Sequence, residues 1–146
     1  PQGETGATGA TGPQGPAGTN DVIYASSAAN TVATNTIIPL TQNAATADTT
    51  MSVATNAVTV TDEGYYLVSY FVNGSVPSGD LTAALYLNGS AVSGETITLA
   101  NTAGSNSAAS KTVLINVPAG GTLSVYNTSA QTATLTGAGL TVLKTA

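Results

Sequence analysis

Glycine occupies every third position from Gly3 to Gly18 without a miss, and the intervening pairs are Glu-Thr, Ala-Thr, Ala-Thr, Pro-Gln and Pro-Ala. At a background frequency of roughly 7%, six glycines in one register are expected about once in ten million trials, so the period has a physical cause. In a collagen triple helix three polyproline-II chains wind together and every third residue meets an axis where only hydrogen fits. A flexible linker would use the same residues but has no reason to keep their register. Gly3, Gly6, Gly9, Gly12, Gly15 and Gly18 are therefore expected at the axis of a triple helix, and the protein is expected to be a homotrimer. Proline stands only in the first slot after glycine, at Pro13 and Pro16, whereas animal collagens rely on hydroxyproline in the second, so the tract reads as bacterial or viral. Pro1-Gln2 continues the register backwards, which reads as the C-terminal end of a longer stalk.

The triplets occupy residues 1–18. Residues 19–21 leave the register and form a joint, and residues 22–146 remain for a head, enough chain for one core but not two. The joint must absorb a mismatch of symmetry, because a triple helix staggers its chains by one residue whereas a closed homotrimeric head is expected to be threefold symmetric.

Past the joint, apolar runs alternate with small polar residues in short strands. Val22 to Ala25, Thr36 to Leu40, Met51 to Val53 and Ala57 to Val60 come first, with Pro39 marking an edge or a bulge. The strongest signal is Thr61-Asp62-Glu63-Gly64 followed by Tyr65-Tyr66-Leu67-Val68-Ser69-Tyr70-Phe71-Val72. An acidic turn closed by Gly64 launches a long strand of aromatic and β-branched residues. Both its faces are largely apolar: Tyr66, Val68, Tyr70 and Val72 on one, Tyr65, Leu67, Ser69 and Phe71 on the other. Such a strand belongs mid-sheet, covered by its own core and by something else, which in a trimer can be the neighbouring subunits. Periodicity leaves open which face meets the partner. Leu81, Ala83, Leu85 and Leu87 then alternate with Thr82, Ala84 and Tyr86, and Asn88-Gly89 signals a tight hairpin. Ile97 and Leu99, Lys111 to Val117, Leu123 and Val125, and Ala138, Leu140 and Val142 mark the later strands. Eight to ten short strands without a helical period predict a sandwich or jelly roll.

The collagen tract, the segment Thr-Asp-Glu-Gly-Tyr-Tyr-Leu-Val-Ser-Tyr (61–70) and Leu85-Tyr86-Leu87-Asn88-Gly89-Ser90-Ala91-Val92 together resemble the BclA-type collagen-like exosporium glycoproteins of spore-forming bacteria. The resemblance covers essentially the whole chain. It implies an all-β, tumour-necrosis-factor-like jelly-roll head that is trimeric and shared in architecture with the complement globular heads. Gly64, Tyr66 and Val68 occupy the positions of the glycine, tyrosine and large apolar residue of that pattern, with Val68 where the complement heads have phenylalanine. It further implies that Tyr66, Val68, Tyr70, Leu85, Leu123, Val125 and Leu140 form the protomer core and that Leu67, Phe71 and Tyr65 form the trimer seam. The family carries O-linked sugars on stalk threonines, which makes Thr5, Thr8 and Thr11 candidate glycosylation sites; unmodified threonines in an outward slot are the alternative.

Chemistry has little to work with. The chain has no histidine and no cysteine, so the usual nucleophilic triads and thiolate metal sites are absent. Asp62 and Glu63 are adjacent and read as solvating a bend, and Asp48, Asp80 and Glu95 are isolated in sequence. The cations are Lys111 and Lys144 against a net charge of -5, so there is no basic stripe for nucleic acid. No apolar run approaches the length of about twenty residues that spans a bilayer. Asn73, Asn88 and Asn127 each head an Asn-x-Ser sequon and read first as turn residues. No cofactor is expected. The expected function is structural: a head that clamps and caps a stalk on the spore surface, with other coat proteins or a host receptor as further partners. The rival is an adhesin or phage-fibre head recognising a host protein or glycan, and an exposed aromatic cluster including Tyr86 or Tyr126 would favour it.

Overall fold

The computed structural model describes Gly3, Gly6, Gly9 and residues 21–47, 49–100 and 106–145. The expected axis residues Gly12, Gly15 and Gly18, the candidate sugar sites Thr5, Thr8 and Thr11, and the joint residues Thr19 and Asn20 lie outside them.

The described head is all-β. Its strands are β1 (Val22–Ser27), β2 (Asn30–Val32), β3 (Thr36–Ile37), β4 (Thr41–Ala45), β5 (Ser52–Ala54), β6 (Ala57–Thr59), β7 (Gly64–Ser75), β8 (Leu81–Leu87), β9 (Ser90–Leu99), β10 (Ser107–Val117), β11 (Thr122–Asn127) and β12 (Ala133–Lys144). They form two antiparallel sheets. One runs β10-β7-β12-β1-β4 with β2 beside β12, and the other runs β5-β6-β11-β8-β9 with β3 beside β11. Alternate residues of each inner face meet between the sheets, and this jelly-roll sandwich is the architecture that the alternation predicted.

Tyr66, Val68, Tyr70 and Val72 of β7 lie wholly inside, together with Ile23, Leu140 and Val142 from the same sheet and Leu85, Leu123 and Val125 from the other. Each tyrosine reaches a carbonyl at the rim of the core: the Tyr66 hydroxyl donates to Asp62 O and that of Tyr70 to Glu95 O, both at 2.7 Å. Burial pushes the Tyr70 phenol up to about 12, with the Glu95 charge adding to it. Folded Tyr70 therefore holds its proton more tightly than the unfolded chain does. Its contribution is full below the unfolded value near pH 10 and is lost as pH rises through 12, about 2 to 3 kcal/mol for a shift of that size. Urea unfolding of the wild type is expected to weaken steeply between pH 10 and 12. The Tyr70→Phe variant, weaker by about 1 kcal/mol at neutral pH for the lost hydrogen bond, should lose less over the same interval.

Two segments depart from the sequence expectation for physical reasons. The run Thr36 to Leu40 is a strand only at Thr36–Ile37, because Pro39 has no N–H to give to a ladder; Leu40 N donates instead to Asn56 Oδ1 at 3.2 Å. In the other direction, β10 begins four residues before Lys111. Its Ser and Ala residues have little strand preference, but they pair in register with β7 from Ser107 opposite Gly74 to Val117 opposite Gly64. Pairing with a long, well-ordered neighbour overrides weak local preference. Asn88 and Gly89 both take positive φ, 53° and 79°, as the tight hairpin between β8 and β9 requires.

Candidate assembly surface

The seven expected core residues Tyr66, Val68, Tyr70, Leu85, Leu123, Val125 and Leu140 are all buried between the sheets. The expected seam residues Tyr65, Leu67 and Phe71 lie on the opposite face of β7, which points away from the core. In one chain that face is open: Tyr65 is 54% exposed and Leu67 37%.

Pairing register extends the surface beyond β7. Leu114 of β10 stands opposite Leu67, Leu67 opposite Leu143 of β12, and Leu143 opposite Val22 of β1. Directly paired residues of antiparallel strands share a face, and strands lie about 4.8 Å apart, so the four side chains make an apolar line roughly 14 Å long. Leu114 is the most exposed of them at 56%. The next row reads Thr112, Ser69, Thr141, Tyr24 and Ala44, with the Thr112 hydroxyl donating to Ser69 Oγ at 3.1 Å. The row after it reads Ser110, Phe71, Gly139 and Ser26. Here the Phe71 ring lies across Gly139: a Cβ at that position would sit 2.3 Å from Phe71 Cε1. Gly139 makes room for the ring to lie down on the sheet.

The rows from Leu114 to Ser110 contain no charged side chain. Both lysines are directed elsewhere. Lys111, on the inner side of edge strand β10, donates to Gly94 O at 2.6 Å and lies 3.3 Å from the Glu95 carboxylate. Lys144 pairs with Asp62 at 2.9 Å, and the hydrogen bond it donates to Asp62 raises its pKa. Asp62 is thus an ion-pair partner and not merely a solvated turn residue, and Glu95, isolated in sequence, is paired in space. A face that excludes charge can be covered without the cost of stripping water from an ion.

Sequence reasoning missed Leu114, Leu143 and Val22 as seam candidates. The signal was present: Leu114 and Leu143 are large apolar residues in the outward phase of their strands, where alternation calls for polar ones. Of the three sequon asparagines only Asn88 is a turn residue. Asn73 sits within β7, and Asn127 closes β11, buried to 1% exposure.

On the far side of the sandwich, Tyr86 and Tyr126 stack with centroids 3.9 Å apart and planes 14° from parallel. They sit diagonally across the square completed by Ser124 and Ala84, and they cover both of those small residues. Among the described residues no group of three acidic, histidine or cysteine side chains is placed to hold a metal.

A family model described as the BclA C-terminal domain matches residues 23–146. Among solved structures the fold is similar to Eiger TNF from S. frugiperda, at 16% identity over 86% of this chain and 94% of that one, with a TM-score of 0.68. Murine APRIL matches at 16% identity over 86% and 99% of the two chains with a TM-score of 0.66. The globular domain of zebrafish complement 1qA matches at 12% over 84% and 94%, with a TM-score of 0.63. No curated protein matches the chain.

Proposed function

We propose, because this chain belongs to the BclA C-terminal domain family, that residues 22–146 are the homotrimeric head of a collagen-like protein of the spore exosporium. Membership of the family supports a location on the spore surface, with the head as a structural part that has no catalytic role. It clamps the C-terminal end of the stalk formed by residues 1–18 and caps the projection.

The observation that carries this proposal is the uncharged face crossed by the line Leu114, Leu67, Leu143 and Val22. Covering a large apolar side chain is worth roughly 1.5 to 3 kcal/mol when burial is complete, and a threefold axis repeats each contact three times. Held together, three heads bring three stalk ends to high local concentration, so the triple helix nucleates near Gly18 and zips toward the N-terminus. Five or six triplets alone supply too few contacts to offset the ordering entropy of three chains.

The test is the solution mass of residues 20–146 by light scattering over a dilution series. Three chains at every concentration is the expected result. A single-chain mass would mean that the stalk drives assembly and that the leucine line is covered in some other way.

A head that recognises a host protein or glycan draws support from one feature, the half-buried Tyr86 and Tyr126 stack on the outer side of the second sheet. The pair already shields Ala84 and Ser124, so it carries less weight than the uncharged face.

A further inference from the structure

The chain enters and leaves the head at the same end, and Asp21 is where the two meet. Sequence register places this residue in the joint, yet its contacts are in the head. It is 8% exposed. The Thr50 amide donates to its two carboxylate oxygens at 3.2 and 3.0 Å, and the Thr50 hydroxyl donates to one of them. Its own carbonyl accepts the Lys144 amide of β12 at 2.9 Å. The next residue is held as well, since Val22 O accepts Thr46 N at 3.0 Å. The Lys144 ammonium continues the tie to Asp62, whose carbonyl takes the Tyr66 hydroxyl. Thr145 donates to Tyr65 O from both its amide and its hydroxyl.

A buried carboxylate is costly unless it is fully hydrogen-bonded. Burial pushes the Asp21 carboxyl up, but hydrogen bonds from Thr49 and Thr50 and the charge of Lys144 outweigh it and hold the carboxyl below its usual range. The Asp21 carboxylate takes its hydrogen bonds from Thr50 and not from any side chain of the assembly rows, although the next residue, Val22, ends one of them. What the arrangement does is fix one point of the chain, three residues from Gly18.

We propose that Asp21 is the positioning residue that couples stalk to head, a buried anchor that holds each stalk end at a defined place on the base of the sandwich. The proposal rests on the head being the clamp of a triple-helical stalk. With Asp21 fixed, two residues and so three chain steps separate the anchor from the last glycine of the triplet register, a reach of about 10 Å. Without the carboxylate that end is held only by the backbone bond from the Lys144 amide, and where it frays the tether roughly doubles. Local concentration falls as about the 3/2 power of tether length, close to threefold per chain. Bringing two chains to the third therefore loses roughly tenfold.

The experiment measures hydrogen exchange of residues 3–18 by mass spectrometry in the full 146-residue chain, beside its mass by light scattering. Wild type should show three chains and protected stalk amides. Asp21→Ala should keep the three-chain mass and the thermal transition of the head within a few degrees while stalk protection drops about tenfold. Thr50→Val removes the hydroxyl from the other side of the contact and should shift protection in the same direction, which keeps the test decisive if Asp21→Ala does not fold. Stalk protection equal to wild type in a folded trimer of either variant overturns the anchor. A single-chain mass or an unprotected stalk in wild type overturns the clamp itself, and the anchor with it.

Discussion

A head carrying Leu67→Asp and Leu114→Asp is expected to run as a single folded chain at concentrations where the wild type is expected to run as a trimer. The two side chains are neighbours across the β7 and β10 ladder and are 37% and 56% exposed in one chain, so a carboxylate at either position stays in water until subunits meet. Covering it then strips that water with no cation on the face to replace it. The effective cost of burying an unpaired ion is several kcal/mol, and six such ions are brought into one trimer. The trimer dissociation constant should rise by well over a thousandfold, while the circular dichroism and urea midpoint of the single chain stay near those of the dissociated wild type. Leu67→Ser and Leu114→Ser, which remove apolar contact without adding charge, should weaken association less. A double aspartate variant that keeps the mass of three chains would place the seam on another surface.

The second large effect concerns stability and arises far from that face. Asn127 is buried at the end of β11, and its amide group serves as a hub. Nδ2 donates to Val32 O at 2.9 Å, Ala33 O at 3.2 Å and Gln131 O at 3.4 Å, and Oδ1 accepts the Ser129 amide at 3.0 Å. Ser129 in turn holds Thr82, whose amide donates to Ser129 Oγ at 2.8 Å, and Thr34 donates its hydroxyl to Ser129 O. The hub joins the end of β2 and the residue after it to the segment before β12. Asn127→Asp keeps the shape but removes both N–H donors and turns a carboxylate oxygen toward three carbonyl oxygens. An unmet buried group costs about 1 to 3 kcal/mol, more when charged, so a loss of about 4 to 5 kcal/mol is expected at neutral pH. Asn127→Ala, which leaves the carbonyls unmet but adds no charge, should lose about 3 kcal/mol. The difference between the two should shrink as pH falls and the introduced carboxyl protonates. Urea unfolding at pH 7 and pH 4 measures both. Equal stability of Asn127→Asp and wild type at pH 7 would mean that the hub is not closed as described.

How much of this was legible beforehand differs from residue to residue. The inner face of β7 could be read because tyrosine and valine in strict alternation leave little freedom about which side chains travel together. Which of the two apolar faces turned inward could not be read, since alternation is symmetric under exchange of faces. Tyr66 and Tyr70 settle it within the fold, each placing its hydroxyl on a rim carbonyl that only the folded chain provides. Asp62 looked like a solvated turn residue because Lys144, its partner, is 82 positions away. Asn127 looked like a sequon in a turn because Val32, which takes its shortest hydrogen bond, is 95 positions away.

By itself, the sequence determined most of what depends on neighbours along the chain. The strands follow from alternation and the Asn88-Gly89 hairpin from the backbone angles that those residues tolerate, and the glycine period carries the expectation of a shared axis. Sheet order and register belong to the tertiary structure, because pairing joins segments whose separation carries no local signal. Register alone brought Leu114, Leu67, Leu143 and Val22 into one line and kept charge off the rows around it. Register also put the Lys144 amide on Asp21 O, so that the end of the last strand holds the chain just before β1 begins.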